Sequence, residues 1–209
     1  REAIQIMGSL AEEYGYVDGG ECLTVGDQNE IWHFEIMPPG AFQKGAIWAA
    51  VRIPEGHVGV SANRSRIGKI DLSDPENYMA SSNVFDVAIE NGWWDPESGE
   101  PFLFYEAYAP NNSMNMRRRE WRVLSLVAPS LRLDANASRF SFTVKAEYPI
   151  TVQDMMRIYR DTYEGTPYDK ANVNDWYVPD GRGGFYKSPF ATPDVSSEFA
   201  KLVDAPNER

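Results

Sequence analysis

The first stretch of the chain, "REAIQIMGSLAEEYGY", carries apolar side chains at the spacing of a helix. The positions that share one face of a 3.6-residue period are Ile4, Met7, Leu10 and Tyr14. The pattern therefore predicts an amphipathic helix at the start of the sequence. Neither an initiator methionine nor a Ser, Thr or Asp cap precedes it. We therefore expect the chain to be a segment of a longer polypeptide.

Short strand-like runs follow this helix, separated by Gly, Pro and Asn turn residues. These runs are "CLTVGD", "EIWHFEIM", "AIWAAVRIP" and "HVGVSAN". Their short connections favour antiparallel pairing, because a parallel neighbour needs a long crossover. The second run alternates, with Trp32, Phe34 and Ile36 on one face and His33 and Glu35 on the other. The third run is apolar on both faces, which predicts a strand covered on both sides.

The second half of the chain is more helical. Helices are predicted in "SSNVFDVAIENG", starting at a Ser cap, and in "EPFLFYEAYAP", "MRRREWRVLSLVAP" and "TVQDMMRIYRDTYEG". The last begins with Thr151 followed by Asp154, an Asp variant of the capping box. Beyond Gly165 the chain is rich in Gly, Pro, Asp and Asn. We therefore predict an α+β fold, an antiparallel sheet with helices, over residues 1–165. Residues 166–209 are predicted to form a long loop and tail that pack on the body of the protein.

Composition narrows the range of partners. The net charge of −11 argues against nucleic acid, since phosphate binding needs a basic face. No apolar run is long enough to cross a bilayer. The single cysteine, Cys22, excludes an internal disulfide, and His33 and His57 lack the spacing of a zinc site, so no metal is expected. Cys22 lies beside a carboxylate in a strand-like run. This setting favours a buried thiol over a nucleophile, which needs a nearby cation, base or helix N-terminus.

Two polar stretches carry candidate chemistry. In "SANRSRI", Asn63 ends a strand-like run. It is either a turn residue that tolerates left-handed backbone or an amide donor for a developing oxyanion, and the residues alone favour the turn. In "MRRREWR", successive arginines on a helix point in different directions. A solvated face is the usual interpretation of such a run. At least one arginine is nevertheless expected to face inward, towards a carboxylate or a polar site.

Several stretches together resemble one family. They are "GDQNEIWHFEI", "GAIWAAVRIPEGHVGVSANRSRI", "NGWWDPESGEPFLFYEAYA", "REWRVLSLVAPSL" and "YRDTYEGTPYD". Their order is similar to that in bacterial dipeptidases of peptidase family C69, in the N-terminal-nucleophile hydrolase class. The resemblance runs from about Arg1 to Asp169. It implies part of a four-layer αββα sandwich from a longer enzyme whose nucleophile is an N-terminal Cys, exposed by self-cleavage, with its own α-amino group as base.

The resemblance also suggests roles for particular residues. Related amidases that act on penicillin V and bile salts place an Asn at a strand end and an Arg on a later helix. Asn63 resembles the first and Arg119 the second, although the flanking residues differ. Asn63 is thus expected to contact the oxyanion or the substrate amide, and Arg119 to orient the nucleophile. Asp27 and Glu35 are candidates for holding the free ammonium of a dipeptide, with a structural hydrogen-bond acceptor as the preferred alternative for each.

The resemblance thus implies a fragment of a cysteine dipeptidase that uses neither metal nor cofactor. Because the nucleophile is absent from this chain, the fragment alone is predicted to be inactive. One alternative is a non-catalytic, aromatic-rich module that binds peptides or sugars, and another is an amidase acting on acylated amino acids. The expected partner is a small peptide substrate, and an exposed sheet edge would invite homo-oligomers. The compartment stays open between bacterial cytoplasm, periplasm and secretion.

Overall fold

The computed structural model describes residues 1–169, 177–179 and 181–187. It divides into two compact units, Arg1–Pro149 and Ile150–Arg209. The domain boundary expected near residue 165 stays a prediction. Most of the loop and tail predicted for residues 166–209 lies outside the described residues.

The chain combines antiparallel strands, grouped mainly in its first half, with helices that lie mainly in its second half, which confirms the predicted α+β class. The helices are α1 (Glu2–Tyr14), α2 (Asp86–Glu90), α3 (Phe104–Tyr108), α4 (Met114–Val127) and α5 (Val152–Arg160). The strands are β1 (Glu21–Gly26), β2 (Ile31–Met37), β3 (Ile47–Arg52), β4 (His57–Gly59), β5 (Tyr78–Ala80), β6 (Thr143–Lys145), β7 (Tyr177–Pro179) and β8 (Phe185–Lys187). No helix among the described residues is long and apolar enough to cross a bilayer. The four-layer sandwich and homo-oligomers stay predictions.

The main sheet has the order β1-β2-β3-β5, with every neighbouring pair antiparallel. Antiparallel pairing of the first three strand-like runs is therefore confirmed. The fourth run does not continue this sheet. Strand β4 pairs instead with β6, where Val58 lies opposite Val144. Strand β5 pairs with the other edge of β3, with Ala50 opposite Met79. The short connection between β3 and β4 therefore did not make these two strands neighbours.

Both faces of strand β3 are buried, as its apolar pattern predicts. On one side, a cluster packs around Ile4 of α1; it consists of Trp32, Phe34, Ile36, Ala46, Trp48 and Ala50. The opposite face of β3 packs against the later part of the chain; this cluster includes Ile47, Ala49, Val51, Ile67, Val84, Val87, Phe102 and Phe104. Strand β3 thus lies at the centre of the Arg1–Pro149 unit, covered on both sides.

Helix α1 forms where predicted, but its buried face differs. Ile4 is fully buried as expected, whereas Leu10 and Tyr14 are 50% and 71% exposed. Gly8 is buried instead, because it lies directly against the indole ring of Trp48. The same indole donates from Nε1 to Glu12 Oε1 at 2.6 Å. The predicted buried face of α1 is therefore wrong at Leu10 and Tyr14. The helix packs on Trp48 through Gly8, which has no side chain and so gave no apolar signal in the sequence.

The later helices confirm the predicted positions with one correction. Helix α2 begins at Asp86 rather than at the serine cap, because Ser81 is used by the sheet: its amide donates to Trp48 O at 3.0 Å, and its Oγ accepts from Trp48 N at 3.3 Å. Helix α5 has the predicted capping box. Thr151 N donates to Asp154 Oδ2 at 2.9 Å, and Asp154 N donates to Thr151 Oγ1 at 3.2 Å.

Candidate active site

A tight turn follows β4 and carries the first predicted site residue. This segment, residues 61–67, is called the Asn63 turn below. Asn63 itself is exposed and has a left-handed backbone with φ of 57°. Ser61 Oγ donates to Arg64 O at 2.9 Å and closes the turn. The backbone of Asn63 therefore has the left-handed turn conformation that the sequence offered as one of two alternatives.

Arg119 of α4 holds the side chain of Asn63. Its Nη1 donates to Asn63 Oδ1 at 2.7 Å, and its Nη2 donates to Ala62 O at 2.8 Å. A guanidinium only donates, so the contact fixes which end of the amide faces Arg119. The Nδ2 group of Asn63 is left as a donor that no described residue accepts from. The structure thus brings together the two residues predicted to be catalytic, and their catalytic roles stay predictions.

Glu120 of α4 points inward and is fully buried, whereas Arg119 is exposed. Arg117 and Arg118 beside it are half-buried, and Arg117 Nη1 donates to Ala137 O at 3.2 Å. The expectation of an inward arginine stays a prediction.

Arg64 donates to Glu120 with both Nε and Nη2, and Arg66 Nη1 lies 2.9 Å from Glu120 Oε2. The buried arginines therefore come from the Asn63 turn and the carboxylate comes from the helix. The one sequence signal for this network was the Arg-x-Arg spacing in "NRSRI", which the pattern alone could not pair with Glu120.

Each of the three guanidinium nitrogens of the buried Arg66 donates a hydrogen bond. Its Nε donates to Val60 O at 3.1 Å, and its Nη2 donates to Ser141 O at 2.6 Å. Burial lowers the pKa of this guanidinium, and Glu120 acts in the opposite direction by favouring its charge. The side chain thus ties the Asn63 turn to the segment that precedes β6.

Glu35 of β2 lies beneath the same turn and is fully buried. Its carboxylate accepts from Arg66 N at 2.6 Å, from Ile67 N at 3.2 Å and from the hydroxyl of Ser65. His33 Nε2 lies 2.7 Å from Glu35 Oε1. A substrate ammonium has no access to this carboxylate, so the placement favours the structural acceptor that the sequence preferred.

Asp27 occupies the turn between β1 and β2. It accepts from Asn29 N at 2.7 Å and from Glu30 N at 3.0 Å, and these backbone hydrogen bonds lower the pKa of its carboxyl. Cys22 lies opposite Glu35 in the β1–β2 ladder. Asp27 is therefore roughly 17 Å further along the strand, at about 3.4 Å per residue. Asp27 and Glu35 cannot bind one ammonium together, and a separate role for Asp27 stays a prediction.

Cys22 is partly buried, consistent with a strand thiol. Burial, and then the charge of Glu35, raise the pKa of the thiol to about 12. The β1–β2 register brings Cys22, His33 and Glu35 together, with one ligand-type atom of each within 4.8 Å of the others. Sulfur, nitrogen and oxygen donors of this kind suit zinc. Glu35 already has four hydrogen-bonding partners and Cys22 Sγ donates to Arg64 O at 3.7 Å, so the three side chains form a hydrogen-bonding network under the Asn63 turn.

A cavity of about 290 Å³ lies in the Arg1–Pro149 unit, where the Asn63 turn runs into the following residues. Its aromatic and cationic lining comprises Tyr78, Tyr105, Phe140, Phe142, Lys69 and Arg139. The guanidinium of Arg139 stacks 3.5 Å above the ring of Tyr105 and lies 3.6 Å from the Glu106 carboxylate. The lining thus combines aromatic rings with cationic side chains.

Comparison with known proteins agrees with the family resemblance. The chain is 27% identical over 172 residues to a probable dipeptidase of Latilactobacillus sakei, covering 81% of this chain and 34% of that protein. It is 30% identical over 173 residues to a probable dipeptidase of Salmonella dublin, covering 81% and 38%. A probable dipeptidase B of Streptococcus pyogenes serotype M1 is 23% identical over 200 residues, covering 93% and 39%.

The chain spans between about a third and two fifths of the length of these relatives. It matches the sequence profile of peptidase family C69 over residues 1–180. The matched range includes Glu35, Glu120 and the whole of α1 and α4. The chain belongs to peptidase family C69.

Proposed function

We propose that this chain supplies the oxyanion-binding part of a dipeptidase that acts by acyl transfer through an N-terminal cysteine located elsewhere in the polypeptide. Membership of peptidase family C69 supports a peptidase, and the names of the relatives support dipeptides as substrates. The observation that carries the proposal is the orientation of Asn63. Arg119 occupies its Oδ1, and its Nδ2 is left to donate at an exposed turn.

Asn63 would act on the charge that develops during acyl transfer. The cysteine thiolate attacks the carbonyl carbon of the scissile peptide bond, and the π electrons move to the carbonyl oxygen. Asn63 Nδ2–H donates a hydrogen bond to this oxyanion, which lowers the barrier most when the donor is already oriented. The C–N bond then breaks, and the leaving amine takes the proton that the cysteine's own α-amino group had removed from the thiol. Water hydrolyses the thioester, releasing a carboxylate and restoring the thiol.

Arg119 would support the same step in two ways. Its hydrogen bonds to Asn63 Oδ1 and Ala62 O keep the amide from rotating, so that Nδ2 stays directed away from the helix. Its positive charge beside the turn favours the thiolate form of a cysteine that reaches Asn63. The thiol of Cys22 does not suit this role, since it lies half-buried in β1 against Arg64 O, and burial raises its pKa.

N-terminal sequencing of the mature natural protein that contains this chain is the first test. We expect a cysteine as residue one, upstream of Arg1. We also expect no turnover of a dipeptide panel by the isolated 209-residue chain, with or without a metal chelator. A mature protein that starts near Arg1 without a cysteine nucleophile would overturn the proposal and favour a peptide-binding module. Turnover of acylated amino acids but not of dipeptides would favour the amidase alternative.

Variants of the full-length polypeptide test the role of Asn63. Asn63→Gly keeps the left-handed turn and removes the amide, so we expect kcat to fall by about a hundredfold to a thousandfold with a small change in KM. Arg119→Ala should lower kcat in the same direction. Asn111→Gly, at another exposed asparagine, is the matched control and should leave kcat unchanged. Unchanged kcat in Asn63→Gly would overturn the role of the amide.

A further inference from the structure

We propose that Glu120 and Glu35 are positioning residues that hold the Asn63 turn from two sides and so set the location of the Asn63 amide. The inference rests on the proposed function of Asn63. It concerns two buried carboxylates that do not reach the substrate. Each of them binds the turn, one through arginine side chains and the other mainly through backbone amides.

Helix α4 binds the Asn63 turn through two consecutive residues, Arg119 and Glu120. Arg119 binds Ala62 O and Asn63 Oδ1 on the exposed side of the turn. Glu120 binds the guanidinium groups of Arg64 and Arg66 on the buried side. Adjacent helical residues point about 100° apart, so the pair can hold both sides of a narrow turn. A shift of α4 would therefore move Asn63 with it.

Strand β2 holds the far end of the turn through Glu35. Its oxygens accept from the amides of Arg66 and Ile67 and from the hydroxyl of Ser65. Glu35 lies in the centre of the main sheet, between its β1 neighbour Cys22 and its β3 neighbour Ala49. The turn is thereby attached to the central strands of the main sheet. Both carboxylates are fully buried, so their hydrogen bonds are not exchanged with water.

A network of buried ion pairs suits the orientation of the turn better than the stabilisation of the fold. A buried ion pair contributes little net stability compared with apolar side chains of the same volume, because both charges lose their hydration. What such a pair does provide is a defined direction, and the bidentate fork of Arg64 on Glu120 is strongly directional. Asn63 is the exposed, left-handed residue of a turn whose following residues are buried, so its location depends on how those buried residues are held.

A double-mutant cycle in the full-length polypeptide tests the proposal. Glu120→Gln should lower kcat by about tenfold to a hundredfold with KM within about twofold, because a misplacement of about an ångström has effects of this size. In the Asn63→Gly background the same substitution should leave kcat unchanged, since there is no amide left to misplace. The melting temperature should fall equally in both backgrounds.

Leu124→Ala is the matched control. Leu124 is fully buried on the same helix, and its apolar side chain makes no hydrogen bond to the turn. Its truncation should lower the melting temperature, and kcat measured below that temperature should stay unchanged. If Glu120→Gln lowers kcat equally in both backgrounds, or no more than Leu124→Ala does, Glu120 is a purely structural residue and the inference fails.

Additional variants cover the remaining outcomes. Should Glu120→Gln not fold, Arg64→Lys replaces it in the cycle, because lysine keeps the charge and loses the bidentate fork. Glu35→Gln should show the same dependence on Asn63 with a smaller loss, since its amide oxygen still accepts from the backbone. The failures are also distinguishable. An unaffected Asn63→Gly enzyme refutes the proposed function, whereas an impaired one with additive Glu120→Gln refutes only the positioning role.

Discussion

Arg119 Nη1 lies 2.7 Å from Asn63 Oδ1, although the two residues are 56 positions apart in the sequence. The contact joins an exposed turn after β4 to the middle of α4. It also reconciles the two alternatives for Asn63, because the left-handed backbone suits a turn while the side-chain Nδ2 is a donor from which no residue in the described part of the chain accepts. A turn residue and a candidate oxyanion donor can thus be the same residue.

The backbone of Asn63 should make it sensitive to the loss of left-handed tolerance. Alanine at a φ of 57° suffers a clash of its Cβ that glycine avoids, a difference of about 1–2 kcal/mol. We therefore expect Asn63→Ala to have a lower free energy of unfolding than Asn63→Gly, measured by urea denaturation of the chain. Both variants lack the bond to Arg119, so the comparison isolates the backbone. Equal stability of the two would contradict an enforced left-handed conformation.

The contact between Gly8 and Trp48 should invert the usual effect of a helical Gly→Ala substitution. Alanine in a helix normally stabilises by about 0.5–1 kcal/mol. At Gly8 a Cβ would lie 2.6 Å from Trp48 Cζ2, and closer still to Cε2 and Nε1. We expect Gly8→Ala to destabilise by about 1–3 kcal/mol, seen as a lower melting temperature by Trp fluorescence.

Gly19→Ala provides the control for this substitution. A Cβ at Gly19 meets no atom within 4 Å, so the melting temperature should stay close to that of the original chain. A Gly8→Ala chain as stable as this control would show that α1 can move away from Trp48 at little cost.

The thiol of Cys22 should be slow to react in the folded chain. Its pKa is raised to about 12, mainly by burial and then by Glu35, so the thiolate is scarce at pH 8. We expect a thiol-disulfide reagent to react on the order of a thousandfold more slowly than with free cysteine. Urea should restore the ordinary rate, because unfolding removes the burial. A fast reaction without urea would mean that the thiol is exposed or activated.

The capping box of α5 should stabilise the first turn of that helix. Thr151→Ala removes the acceptor for Asp154 N, and such caps contribute about 1 kcal/mol. We expect roughly fivefold faster amide exchange in the first turn of α5. The pKa of Asp154 is lowered, chiefly by its hydrogen bonds to Thr151, so this stabilisation is present above the ordinary Asp range. It is lost as pH falls through the lowered pKa.

Val152→Ala is the control for this prediction, since Val152 is 66% exposed and caps nothing. It should leave the exchange rates nearly unchanged. An Asp154→Asn variant should lose the acid dependence of the first turn, and persistence of that dependence would assign it to another group.

Local patterns in the sequence were enough to predict a large part of the fold. The alternation of Trp32, Phe34 and Ile36 predicts one apolar face, and the apolar run of β3 predicts a strand covered on both sides, because side chains in a strand alternate every two residues. The capping box at Thr151 depends only on residues three positions apart. Asn63 and Arg119 were selected as site candidates through the family resemblance, and the physical pattern of the residues alone favoured a turn for Asn63.

Tertiary structure decided whatever depends on partners far apart in the chain. The pairing of β4 with β6, the contact of Gly8 with Trp48 and the burial of Glu120 between Arg64 and Arg66 each join distant segments. Sequence periodicity reports which face of an element is apolar, but not which element will cover it. In the sequence, Glu120 cannot be distinguished from a surface glutamate, because its burial depends on Arg64 and Arg66. The contact of Gly8 with Trp48 could not be predicted either, because glycine contributes nothing to a hydrophobic pattern. The physical reason is that desolvation and charge pairing are properties of the packed molecule.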